Sequence, residues 1–296
     1  MKADDLVSAI DTAPAPPEGA PGVRTSGRAG RNLPAAIGVG LGLGVLITVP
    51  LFSPFRWVFI GVLAAAVALG TYEIVKALRV LGAHPPMLPL QVGGAAMVVL
   101  AYGHGPEALF LALVLTVLAC LAWRLADPAE GFLRDVAAST FSAAYVPFLA
   151  GFASLLAMPA DGPRRVTAFI AVVVCSDVGG YVAGVFFGKH PMAPTVSPKK
   201  SWEGFAGSLT ACALAGAIFF VTLFDAPVLL GVVYGLAIAL TATLGDLGES
   251  MVKRDIGIKD MGTLLPGHGG IMDRLDSLLP TAPVAWLLLA AFVAYP

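Results

Sequence analysis

The chain has 296 residues, of which 57% are hydrophobic and only 12% charged, with a mean hydropathy of +0.85. Soluble domains carry about a quarter charged residues, so this composition excludes a water-soluble globule and indicates an integral membrane protein. The net charge of -1 leaves no basic field for nucleic acid, and Cys120, Cys175 and Cys212 stand singly in apolar segments without metal-binding spacing.

Residues 1–32, rich in Pro, Gly and Ala, predict a disordered tail rather than a secretory signal. Nine apolar segments then follow, each near the 20 or so residues that a bilayer core requires. They run Leu33–Val49, Trp57–Leu78, Leu88–Tyr102, Ala108–Trp123, Val136–Met158, Val166–Gly188, Phe205–Phe224, Val228–Leu247 and Leu278–Tyr295. The third and fourth, separated by "GHGPE", form a predicted hairpin. In the first, Gly40 and Gly44 stand four apart and predict close helix packing rather than a dinucleotide loop, since no strand precedes them. The expected fold is therefore an all-α polytopic membrane protein with about nine transmembrane helices. It divides into the tail 1–32, N-terminal helices 33–165 and a region 166–296 that holds most of the polar loop residues.

Basic residues set the orientation. Fifteen of the 18 lie on the side of the N-terminus, and only Arg56, Arg164 and Arg165 lie on the other. The N-terminus and the two polar loops, Lys189–Glu203 and Asp246–Asp276, are thus expected in the cytoplasm.

Three clusters could carry chemistry. Ten of the 37 charged residues fall within Asp246–Asp276. On a continued helix Asp246, Glu249, Ser250 and Lys253 share one face, and Asp273 and Asp276 share another at the start of the ninth span. Two such acidic faces can hold a hard divalent cation. A structural salt-bridge net with Lys253, Arg254, Lys259 and Arg274 reads the same way. The glycines around His268 (Gly269 and Gly270 after it) would let backbone N–H groups approach a phosphate.

In the second cluster, "GKHPMAPTVSPKKSWEG", Ser197 and Pro198 predict a helix start that places Lys199 and Lys200 in the first turn, a position that suits a bound anion. Alternatively, these lysines only mark the cytoplasmic side. Third, Asp177 lies inside the sixth span, on one face with Tyr181, Gly184 and Gly188. It reads as a metal or substrate contact, or as a satisfied structural acid. Glu73 is explained by pairing with Lys76 or by snorkelling, and His84, His104 and His190 read as loop residues. No Ser-His-Asp, HExxH or Walker pattern occurs.

The stretch "SMVKRDIGIKDMGTLLPGHGGIMDRLD", Ser250–Asp276, closely resembles the pattern of phosphatidate cytidylyltransferases (CDP-diacylglycerol synthases): Ser, Lys-Arg, Lys-Asp, a small residue, Pro, His-Gly-Gly and a final Asp-Arg-x-Asp. "SDVGGYVAGVFFGK" and "SPKKSWEG" are similar to further segments of that family, with Gly180 in place of an expected alanine. The resemblance covers about Val166–Pro296. It implies a multi-pass enzyme of the bacterial inner membrane, its site facing the cytoplasm, that converts CTP and phosphatidic acid to CDP-diacylglycerol and pyrophosphate. It also implies Mg2+ or another divalent cation and a homodimer in the lipid membrane.

Under this resemblance Asp246, Asp273, His268, Lys253 and Arg274 would be catalytic, and Asp246, Asp273, Asp276 and Asp177 would bind metal. Ser197, Lys199, Lys200, Glu203, Ser250, Arg254, Lys259, Gly269, Gly270 and Asp177 would contact substrate. The competing readings are a multi-span transporter and a catalytically inactive membrane protein. A transporter is expected to place its ligands at the midplane between repeats, and none is visible.

Overall fold

A computed structural model describes residues 33–262 and 269–294. The tail 1–32 and the segment 263–268, which includes His268, lie outside the described residues. The helices are α1 (Leu33–Phe52), α2 (Trp57–Leu78), α3 (Met87–His104), α4 (Pro106–Arg124), α5 (Phe132–Ala143), α6 (Leu149–Ala157), α7 (Gly162–Phe187), α8 (Trp202–Leu223), α9 (Val228–Ile256), α10 (Met272–Leu275) and α11 (Leu278–Phe292). Among the described residues, eight helical segments are long and apolar enough to cross a membrane, and α1 occupies the first predicted span. In lipid every backbone N–H and C=O must be satisfied within the segment, which is why apolar runs of this length become helices.

The predicted hairpin is present: α3 and α4 are joined by Gly105, whose φ of 86° a residue with a side chain rarely adopts. The fifth span departs from a regular helix. Pro147 cannot donate its backbone nitrogen, and Ala144–Phe148 forms a π turn between α5 and α6 that accommodates it. The close packing expected around the α1 glycines is not seen at Gly44, where nothing lies within 4 Å of a notional Cβ.

The helices pack through small residues where they approach most closely. A Cβ on Gly204 of α8 would stand 3.0 Å from the Gly180 carbonyl of α7, and one on Gly179 of α7 would stand 2.8 Å from the Gly207 carbonyl of α8. Glycine stripes of this kind let membrane helices meet backbone to backbone. The buried core includes Ile74, Leu90, Met97, Leu155, Val172, Ile238 and Leu289.

The one departure from an all-helical chain among the described residues is a two-stranded antiparallel ribbon, β1 (Pro191–Ala193) and β2 (Ser197–Ser201), with Pro191 opposite Ser201. The expected helix start at Ser197-Pro198 is therefore corrected. Ser201, not Ser197, is the N-cap: it is extended (φ -122°, ψ 156°), and its hydroxyl accepts the Gly204 N–H. A residue before proline is pushed toward β geometry, and that preference prevails at Ser197 over proline's fitness for a first helical turn.

The two ends of the bundle differ. At one end the Arg56 guanidinium donates to the Pro159 and Ala160 carbonyls at 2.9 Å each. Arg165, 2% exposed, pairs with Asp161 at 2.9 Å and donates to the Leu289 carbonyl at the end of α11. The ribbon, the C-terminal extension of α9 and α10 gather at the opposite end.

Candidate active site

The ribbon and α7, α8 and α9 enclose a cavity of about 460 Å3. Asp177, Tyr181 and Gly184 line it from α7, Lys199, Lys200 and Ser201 from the ribbon, and Asp246 from α9. The anticipated face of α7 does look into this cavity. The lysines also reach it, although from a strand. Alternation along β2 leaves Lys199 exposed and turns Lys200 toward α9, where its Nζ meets Asp246 Oδ2 at 2.6 Å. The Ser250 hydroxyl lies 3.4 Å from Asp246 Oδ1, one helical turn away.

Asp276 belongs to the same group. Gly245 allows α9 to pass so close to the start of α11 that a Cβ there would stand 2.5 Å from the Asp276 carbonyl. The carboxylates of Asp177, Asp246 and Asp276 lie near enough to repel one another, and the charges of Lys200 and Arg274 act on Asp177. Acids gathered beside lysines suit a hard cation that retains waters and takes further ligands from a phosphate. Among the described residues no three His, Cys, Asp or Glu side chains are grouped so that they alone could hold a metal ion, so a cation here would need phosphate oxygens or water among its ligands.

Asp273 occupies a different environment from the one its spacing suggests. Its carboxylate accepts Lys253 Nζ at 2.9 Å, the Met261 N–H at 3.0 Å and the Gly270 N–H at 2.8 Å. It thus ties both flanks of the segment 263–268 to α9. Asp273 and Asp276 stay three apart on helical backbone, since Asp276 continues the helical geometry of α10, but they find different partners: Lys253 and two loop N–H groups for Asp273, and the Ser277 N–H for Asp276. Gly270 was expected to offer its N–H to a phosphate, and here that N–H is committed to Asp273. Gly269 has φ of 80°, and a Cβ on it would sit 2.8 Å from the same carboxylate.

Two acids completing this loop were undervalued by spacing alone. Glu249, fully buried, pairs with Lys253 at 3.1 Å, so Lys253 bridges Glu249 and Asp273. Glu73 does not snorkel to Lys76, which is exposed. It is 2% exposed, accepts the Met272 N–H at 2.8 Å, and would clash with a Cβ on Gly262 or Gly270. Its position 199 residues before Met272 left no local signal. Only its oddity as an acid in an apolar helix pointed to it.

The remaining candidates lie at the rim. Glu203 holds the ribbon, accepting the Lys189 and His190 backbone N–H groups at 3.1 and 3.2 Å and facing His190 Nδ1 at 2.5 Å. Arg254 Nε donates to the Val196 carbonyl at 3.4 Å, Ser197 is in β2, and Lys259 is exposed.

Residues 35–292 match the cytidylyltransferase family. The chain is 46% identical to the phosphatidate cytidylyltransferase of Mycobacterium leprae (strain TN), over 88% of this chain and 89% of that protein. It is likewise 46% identical to that of Mycobacterium tuberculosis (strain ATCC 25618 / H37Rv), over 91% and 85%. The phosphatidate cytidylyltransferase of Staphylococcus haemolyticus (strain JCSC1435) is 40% identical over 52% of this chain and 59% of its own length.

Proposed function

The chain belongs to the cytidylyltransferase family, and from that premise we infer that it joins the cytidylyl group of CTP to phosphatidic acid, releasing pyrophosphate and forming CDP-diacylglycerol. The observation that carries this reading on the structure is the cavity in which Asp177, Asp246, Lys199 and Lys200 meet. It combines acids suited to a cation with bases suited to a triphosphate.

In the reaction an oxygen of the lipid phosphate forms a bond to the α-phosphorus of CTP while the bond from that phosphorus to the β-phosphate oxygen breaks. The attacking phosphate is already ionised at neutral pH, so no strong general base is needed. The work falls to positioning and charge neutralisation. Lys199 and Lys200 would bind triphosphate oxygens, and Lys200 would exchange its bond to Asp246 for one to the nucleotide. Ser250 holds the Asp246 carboxylate by its hydroxyl. Asp273 and Lys253 act through the loop, fixing residues 261 and 270 relative to α9. Asp177, Asp246 and Asp276 would hold Mg2+ or another divalent cation, which when bound would shield the charge that develops on the phosphates. Cytoplasmic orientation of this end and a homodimeric assembly belong to the same reading. The charge asymmetry of the loops supports the first and the family resemblance the second.

The test is direct. Purified protein is incubated with labelled CTP, phosphatidic acid and Mg2+, and label is sought in the lipid phase. Wild-type protein should transfer it, and Asp246→Asn should transfer far less. Equal transfer by both would refute the site.

A further inference from the structure

A second cavity lies against α10. At about 460 Å3 it equals the polar one and falls within the range of about 300–1,000 Å3 typical of ligand sites. Its character is the opposite. Phe59, Leu63 and Leu69 of α2, Ala153 of α6 and Phe169 of α7 are among its walls, and Arg274 is the sole charged lining residue. From Phe59 to Leu69 the wall follows α2 for about 15 Å at a rise of about 1.5 Å per residue. That is about half of a hydrocarbon core roughly 30 Å thick, the reach of one acyl chain within one leaflet. Arg274 is also the base whose charge acts on Asp177 in the polar cavity. One guanidinium therefore lines the apolar space while its charge reaches an acid of the transfer site.

A space that is apolar along its length and cationic at one end complements a molecule that is apolar along its length and anionic at one end. We propose that this cavity is the acyl-chain subsite for the phosphatidate, and that Arg274 receives the lipid phosphate there rather than the triphosphate of CTP. The inference rests on the transferase reading and adds a specificity element to it. The walls of α2, α6 and α7 select the lipid by chain length, and the head group is delivered beside Asp177.

The experiment narrows the cavity and varies the chain. Ala153→Phe and Ala66→Phe, both at lining positions, are assayed with dioleoyl and dihexanoyl phosphatidate at saturating CTP. Each excluded methylene should weaken lipid use about fourfold. The dioleoyl kcat/KM is thus expected to fall at least about tenfold, with dihexanoyl turnover and the KM for CTP held near wild type. Equal effects on both lipids, or on neither, overturn the proposal. Should the variants not fold, wild-type protein is cross-linked with a phosphatidate bearing a photoreactive group at the chain terminus. Label on Phe59 or Leu63 supports the subsite. Label elsewhere, or label competed equally by phosphatidylcholine, overturns it, the latter result marking a structural lipid. If wild-type protein labels at Phe59 yet transfers nothing from CTP, the transferase reading fails and the lipid site stands.

Discussion

Glu73→Ala tests whether the N-terminal helices take part in the chemistry or only frame it. The wild-type carboxylate accepts the N–H of Met272 at 2.8 Å, and Met272 is fully buried. Truncation leaves that donor without an acceptor and away from water, which costs about 1–3 kcal/mol. It also removes the atoms against which Gly262 and Gly270 rest, so a total loss of about 2–4 kcal/mol is expected once the void is included. Since Asp273 binds the N–H groups of Met261 and Gly270, the released loop should shift the residues around α10, and a displacement of about 1 Å lowers turnover about 10²-fold. Glu73→Gln keeps one carbonyl acceptor and should lie between wild type and Ala. Lys76→Ala, at an exposed position, should change stability by less than about 0.5 kcal/mol. Thermal unfolding in detergent followed by tryptophan fluorescence reads the first quantity and label transfer to lipid reads the second. Wild-type melting and turnover in Glu73→Ala would refute the argument, and a loss in Lys76→Ala equal to that in Glu73→Ala would point to a helix-end effect instead.

Asp246→Asn and Asp273→Asn should fail in different ways. The first is expected to melt near wild type while its residual activity requires far more Mg2+, because in the proposed site Asp246 would hold the cation. The second weakens a nearly buried pair with Lys253, which keeps Glu249 as a partner, losing about 1.5–3 kcal/mol, and its residual activity should keep the wild-type Mg2+ dependence. A Mg2+ titration of turnover beside a melting curve separates them, and identical behaviour would contradict the division of the two acids. Asp135→Ala removes the partner of the buried Arg124, 2.8 Å away and remote from the cavity. It should destabilise by about 3–5 kcal/mol with turnover per folded molecule unchanged, as measured by unfolding and by assay normalised to the folded fraction.

The spans were legible because lipid leaves a segment few choices: the apolar runs had to become helices, and those beyond α1 did so near their predicted places. Asp177 and Asp246 were legible for a related reason, since carboxylates beside lipid require a partner or a task. Which acids face one another was not legible. Spacing put Asp273 and Asp276 on one helix face. The backbone stays helical through Asp276, yet Lys253 captures Asp273 while the charges of Asp246 and Asp177 act on Asp276. Helical periodicity specifies directions, and the neighbouring elements decide the partners. The Ser197-Pro198 pair failed similarly: proline is compatible with both a first helical turn and an edge strand, and the choice lay with longer-range bonds such as that from the Trp202 N–H to the His190 carbonyl at 3.0 Å.

The arrangement also bears on how one protein can bring a water-soluble anion to a lipid. Both substrates are anionic, so a single basic cavity would attract two molecules of nucleotide as readily as one of each. Here the charges are divided. Lys199 and Lys200 stand on the ribbon at the polar end, where a soluble triphosphate can arrive, whereas Arg274 lines the apolar space. A triphosphate would have to shed its water without compensation to fill that space, and an acyl chain gains nothing from the polar one. On the proposed reading this division would sort the two anions by what each is attached to, and the acids of the polar cavity would be the place where their phosphates meet.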